Sequence, residues 1–202
     1  MSDELIIKQT GTIDVMNRLA RKGDICVMIS TSDSGEINQL RRQQVMFKNL
    51  LGGRITDLIH LTCQRVELPE DLSLETFLQN LNQAINAYAQ TFPLTAASML
   101  PVYSNFRKCY ILKWQIEPND DLRHFTHMLE ETLLSMNIQL IYRRGLILTW
   151  VSALEDIPEP VSESILAMAT YPHHLFTATR VIISRINGPF DYERLATLSI
   201  LK

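Results

Sequence analysis

His60 and Thr62 stand two residues apart in the segment from Leu58 to Leu68, where apolar and polar residues alternate. Ile59, Leu61 and Cys63 fall on one face of a strand so patterned, and His60, Thr62 and Gln64 on the other. An imidazole exchanges a proton near neutral pH. A hydroxyl beside it donates to a phosphoryl oxygen. A His-x-Thr strand therefore offers half of an acid–base phosphate site. The competing reading is a histidine that merely fills a half-buried sheet.

The other histidines compete for the missing half. His124-Phe125-Thr126 repeats the His-x-Thr spelling, but it falls in Asp120–Met136. There Leu122, Phe125, Leu129, Leu133 and Met136 recur at helical spacing, so His124 is expected on a solvated helix face. His124 and His127 have the i, i+3 spacing of metal ligands but no third ligand nearby in sequence, so no metal is expected. His173 and His174 precede an apolar strand, where a loop can reach a cleft. Arg143, Arg144, Arg180 and Arg185 suit phosphate geometry, with ordinary surface charge as the alternative. Gly52-Gly53 is no phosphate loop, because no Lys-Ser/Thr follows it.

These residues need a frame. Ile25–Ser30 reads as a strand ending in the turn cluster Thr31 to Gly35. Ile37, Leu40, Phe47 and Leu51 mark a helix that Gly52-Gly53 stops. Ser73 caps a second helix with a stripe through Leu74, Phe77, Leu81 and Ile85. Leu94–Tyr103 and Lys108–Glu117 read as a strand pair, with Tyr110, Leu112, Trp114 and Ile116 on one face of the second strand. After the Asp120–Met136 helix come strands at Ile138–Tyr142 and Gly145–Ala153, then a loop over 155–164 and a short helix at Ser164–Thr170. Phe176–Ile186 reads as one long final strand ended by Asn187-Gly188-Pro189. The predicted class is α+β. Residues 1–23 read as an N-terminal extension, with a short helix around Ile13 and Met16, and residues 24–202 as the domain.

Composition narrows the partners. The net charge of −3 over 202 residues argues against duplex DNA or an anionic membrane, but not against a local phosphate site. No stretch reaches the roughly 20 apolar residues of a membrane span. The start carries Asp3 and Glu4 and does not resemble a secretory signal. Cys26, Cys63 and Cys109 sit singly in apolar runs, as buried thiols of a reducing compartment do. A cytoplasmic location is expected.

The order of elements, with Ile59-His60-Leu61-Thr62, Tyr110 to Trp114, the helix Leu122 to Met136, and Val181 to Pro189 followed by Tyr192, resembles the two-histidine (2H) phosphoesterases. These include RNA 2',3'-cyclic phosphodiesterases, also called 2'-5' RNA ligases. The resemblance implies a bilobal α+β fold, two antiparallel-sheet lobes with outer helices around a central cleft. It implies metal-independent chemistry without a cofactor on a cyclic phosphate or 2'-5' linkage, with an RNA end or small nucleotide as partner. It gives His60 and Thr62 the roles of the first His-x-Thr motif. The second aligns with Leu146-Ile147-Leu148-Thr149, where Thr149 matches the hydroxyl and Ile147 stands in the histidine's place. Arg143, Arg144, Arg185, His173 and His174 are the candidate substrate-binding residues around it. Two functions follow: a cyclic phosphodiesterase, or a catalytically impaired relative that binds a nucleotide or RNA end.

Overall fold

Short polar caps fix where the helices begin. Asp33 accepts a hydrogen bond from the Glu36 amide (2.9 Å), Ser73 from Thr76 (3.1 Å) and Asn119 from Leu122 (2.8 Å). Each satisfies an amide that the first helical turn leaves unpaired. In the computed structural model, which describes residues 18–55, 58–105, 107–142, 147–152 and 173–200, the chain runs β1 (Ile25–Ser30), α1 (Ser34–Leu51), β2 (Arg54–Ile55), β3 (Leu61–Val66), α2 (Leu74–Tyr88), β4 (Phe92–Ser104), β5 (Cys109–Ile116), α3 (Asp120–Ser135), β6 (Leu140–Tyr142), β7 (Ile147–Ser152), β8 (His173–Ala178), β9 (Arg180–Gly188) and β10 (Asp191–Ser199). Gly52 ends α1 with φ of 74°, a left-handed conformation that costs glycine little.

Among the described residues every strand pairing is antiparallel, in the order β10-β9-β1-β3-β7-β5-β4-β8, with β6 beside β3 and β2 beside β7. The sheet has two halves. β10, β9, β1 and β3 form the first; β7, β5, β4 and β8 form the second. β3 and β7 meet at the Leu61–Leu148 pair. This is the two-lobed α+β architecture expected from the sequence.

One face of this sheet carries the helices. Leu40 and Phe47 of α1, Phe77, Leu81 and Ile85 of α2, and Leu122, Phe125, Leu129 and Leu133 of α3 join Leu61, Trp114, Phe176 and Ile183 in one buried core. Tyr88, Phe92 and Phe125 meet in edge and tilted ring contacts, with centroids 5.2 Å and 5.4 Å from Phe125. On the opposite face of the first half lies a smaller cluster of Cys26, Met28, Ile182 and Ile186, with Leu58, Ala20 and Tyr192 packed against it. β1, β3 and the middle of β9 are therefore buried on both sides, while β10 stays largely open to solvent.

Three expectations change. The apolar run Phe176–Ile186 is two strands. The chain breaks at Thr179 and passes from β8 on the edge of the second half to β9 beside β1 in the first. The Thr179 amide donates to the Ser30 carbonyl (3.0 Å), and its hydroxyl accepts from the Ser32 amide (2.7 Å), fixing the crossing. The residues after Gly188 form β10, a hairpin partner of β9. The alternation of β3 also fails after Thr62. Val27 pairs with Gln64 and Met28 with Thr62, so Cys63 is an extra residue bulged from the ladder. Gln64 is thereby turned onto the core face, where it donates to Glu130 of α3 (2.9 Å). The helix expected around Ile13 and Met16, and the loop and helix expected over 155–170, lie outside the described residues. No described helix is long and apolar enough to cross a membrane.

Phe125 is fully buried at the junction of α3, α2 and β4. Phe125→Ala is expected to cost about 3–5 kcal/mol, from lost transfer energy and the cavity left behind. Urea denaturation reads this as a lower midpoint at unchanged slope. A loss under about 1 kcal/mol would contradict the core assignment.

Candidate functional site

His60 and Thr62 lie on the helix-free face of the first half. Met28 pairs with Thr62 and belongs to the cluster on that face, while Leu61 between them points into the main core. Two hydrogen bonds hold the approach to β3. Ser30 Oγ donates to the Ile59 carbonyl at 2.6 Å. The Leu58 carbonyl accepts from His60 Nδ1 at 2.8 Å. A carbonyl only accepts, so the proton of the neutral ring sits on Nδ1 and the lone pair on Nε2. His60 and Thr62 are each 9% exposed, so the pair is largely shielded from bulk water. Exclusion of water strengthens every charge interaction made there.

The second half meets this motif at one backbone pair. The Leu61–Leu148 pair is antiparallel, so in register His60 is set against position 149 and Thr62 against position 147. The described residues 147–149 thus run antiparallel to residues 60–62 about that pair. The four positions flanking the pair carry one histidine, two threonines and Ile147. Ile147 pairs with Gln115 and Thr149 with Lys113 on the neighbouring strand β5. Lys113 is 6% exposed and lies on the face opposite Leu112 and Trp114. This buried cation was not singled out in the sequence, although the alternation around Trp114 already put it on the helix-free face.

The arginines divide by strand parity. Arg185 pairs with Ile25, a core residue, and makes a salt bridge to Glu193 (3.2 Å). It sits on the helix-bearing face and does not join His60, contrary to expectation. Arg180 pairs with Ser30 and Arg194 with Ser184, on the helix-free face. In the first half that face thus presents, strand by strand, His60 and Thr62, then Ser30 and Met28, then Arg180 and Ile182, then Arg194 and Thr197. Arg143 and Arg144 lie outside the described residues.

His173 and His174 also turn elsewhere. His173 pairs with Ala96 of the core and stacks on Trp114 (5.4 Å between centroids, 26° between planes). Its Nε2 lies 3.3 Å from the amide nitrogen of Gln43 in α1. His174 Nε2 meets Glu36 at 3.1 Å, and Glu36 also accepts from the Thr177 amide (3.0 Å), covering the open edge of β8. The two histidines pin α1 to β8, and the structure does not bring them to His60. His124 and His127 are exposed on α3, and Thr126 donates to the Leu122 carbonyl as a helical residue does. No group of three metal-ligating residues occurs among the described residues. Cys26 and Cys63 are buried and Cys109 half-buried. Burial pushes the Cys63 thiol up to about 12, so it is inert as a nucleophile at neutral pH.

The two halves are also clasped at the hairpin tips. The Arg54 and Arg107 guanidiniums lie 4.9 Å and 5.2 Å from the Phe190 ring centroid, and Arg107 donates to the Tyr192 hydroxyl (3.2 Å). Tyr103 and Tyr110 pair edge to face at 5.2 Å.

No family model matches this chain, and no curated protein matches it. Its likeness is to solved structures. E. coli LigT complexed with 3'-AMP is 14% identical with a TM-score of 0.57, over 90% of this chain and 100% of LigT. E. coli LigT complexed with NADP+ is 15% identical with a TM-score of 0.56, over the same shares. Kluyveromyces marxianus Usb1 is 13% identical with a TM-score of 0.52, over 90% of this chain and 99% of Usb1. At these identities the likeness is one of fold. The chain has the two-lobed fold of these structures, as the resemblance of its sequence implied.

His173 titrates below the ordinary histidine range, first through burial and then through the nearby charge of His174. A depressed histidine contributes stability that is complete above its unfolded value of about 6.5 and is lost as pH falls through its folded value. His173→Phe keeps the ring over Trp114 and removes the titration. The variant is expected to lose less melting temperature than wild type between pH 7.5 and 5. Equal acid losses in the two proteins would show that His173 does not couple to folding.

Proposed function

We propose that this chain binds the phosphate of a nucleotide or RNA end on the cleft floor, with His60 and Thr62 as the phosphate-holding pair and position 149 supplying a second hydroxyl. We further propose that it opens 2',3'-cyclic phosphates or 2'-5' linkages only slowly. The observation that carries this reading is the register about Leu61–Leu148, which sets Ile147 against Thr62. A second proton-transfer group is needed there, and isoleucine supplies none.

The chemistry is specific. Opening a cyclic phosphate requires a base to take a proton from the attacking water and an acid to give one to the departing ribose oxygen. His60, with its lone pair on Nε2, suits the first task. Losing the second partner costs roughly 10²–10⁴-fold in rate. Binding needs no such partner. A histidine that protonates against the phosphate and a threonine hydroxyl give charge-assisted hydrogen bonds in a shielded site. Lys113, beside position 149, adds a positive field from the other half. The complexes of LigT with 3'-AMP and NADP+ support the choice of a nucleotide as ligand.

Two variants test this. His60→Ala is expected to weaken 3'-AMP binding by about tenfold or more, the loss of one charge-assisted hydrogen bond, measured by calorimetry. Unchanged affinity would remove His60 from the site. Ile147→His is expected to raise turnover of a short RNA ending in a 2',3'-cyclic phosphate by roughly 10²-fold. A wild-type rate already as high as that of Ile147→His would overturn the impaired reading and favour a full phosphodiesterase.

A further inference from the structure

Several of the described arginines are paired with a carboxylate. Arg18 is bound to Asp24 at 2.6 Å, Arg123 to Asp120 at 3.0 Å and Arg185 to Glu193 at 3.2 Å. Among the described residues, Arg180 and Arg194 have no carboxylate partner. Their partners in register are Ser30, Ser199 and Ser184, none of which carries charge. Arg180 is half-buried, and its Nε is shielded from water without a hydrogen-bond partner. Burial first, and then the like charge of Arg194, disfavours its charged form. Two like charges are thus held on one face at a cost, with a donor left unmet.

Their position gives that cost a purpose. Both project from the face that bears His60 and Thr62. Arg180 is two strands from His60, across Ser30, or about 10 Å between backbones at the usual strand spacing. An arginine side chain spans much of that gap. We propose that Arg180 and Arg194 form a second anion subsite on this floor, so that the ligand carries two phosphoryl groups on one or adjacent nucleotides. This rests on the nucleotide reading of the His60–Thr62 site. The planar guanidinium forks match phosphate oxygens, and a bound anion relieves both the repulsion and the unmet Nε. A nucleoside 3',5'-bisphosphate and a short RNA end with a neighbouring phosphodiester share this chemistry.

The test compares 3'-AMP, adenosine 3',5'-bisphosphate and the dinucleotide ApAp bearing a 3'-phosphate in calorimetric titrations. Wild type is expected to bind at least one doubly phosphorylated ligand about tenfold more tightly than 3'-AMP. Which of the two gains tells a bisphosphate ligand from an RNA end. In Arg180→Gln/Arg194→Gln the gain disappears while 3'-AMP affinity stays the same. The exposed single variant Arg194→Gln, which leaves Arg180 in place, loses part of it. Equal affinity of wild type for all three ligands, or a gain that survives in the double variant, overturns the proposal. Inorganic phosphate separates this subsite from the nucleotide reading, because it is expected still to raise the melting temperature of His60→Ala, through the arginines alone. If no nucleotide binds but that rise persists and is absent from the double variant, the nucleotide reading fails and the anion subsite stands. An equal rise in the double variant sinks the subsite.

Discussion

The molecule turns on one backbone pairing. Leu61 and Leu148 join strands from the two halves of the sheet, and the residues on either side of them form the centre of the candidate site. Because the pairing is antiparallel, a motif of the form His-x-Thr in one strand meets the hydroxyl and histidine positions of the other in reversed order. Leu61 is fully buried in the main core, so the packing of the helices and the placement of His60 are one constraint. A slip of one residue would turn His60 into that core and Leu61 out of it.

The bulge at Cys63 is the second device. It lets β3 serve two masters in six residues. Thr62 stays on the cleft side beside Met28, while Gln64 and Val66 turn to the core and hold α3 through Glu130 and apolar contact. The break at Thr179 does the same for the last strands. It carries the chain from one half to the other, and it decides which arginines face the cleft. Function here depends on where alternation is interrupted more than on where it holds.

Much of this was legible in the residues. Caps, stripes and the parity of His60 with Thr62 are local, and local physics sets them. The echo between Ile59–Thr62 and Leu146–Thr149 pointed to the crossing that the sheet makes. The rest was hidden for definite reasons. Phe176–Ile186 mixes polar and apolar residues and carries no glycine or proline, so no turn signal marks the change of strand at Thr179. Arg185 and Arg180 are alike in type, and only the register against β1 shows that Arg185 meets Glu193 and that Arg180 lies on the helix-free face. Arg194 follows an acidic neighbour and reads as ordinary surface charge. His173 and His174 stood beside an apolar strand as a mobile-looking pair, but Trp114 and Glu36 claim them.

The central claim is that His60 faces a phosphate with its lone pair on Nε2. Nitrogen–proton correlation spectra of the His60 ring, recorded while 3'-AMP is added, test it most directly. A neutral ring protonated on Nδ1 is expected in the free protein, with ring shifts that saturate with the ligand. A free ring protonated on Nε2, or ligand shifts elsewhere in the protein that leave His60 unmoved, would contradict it.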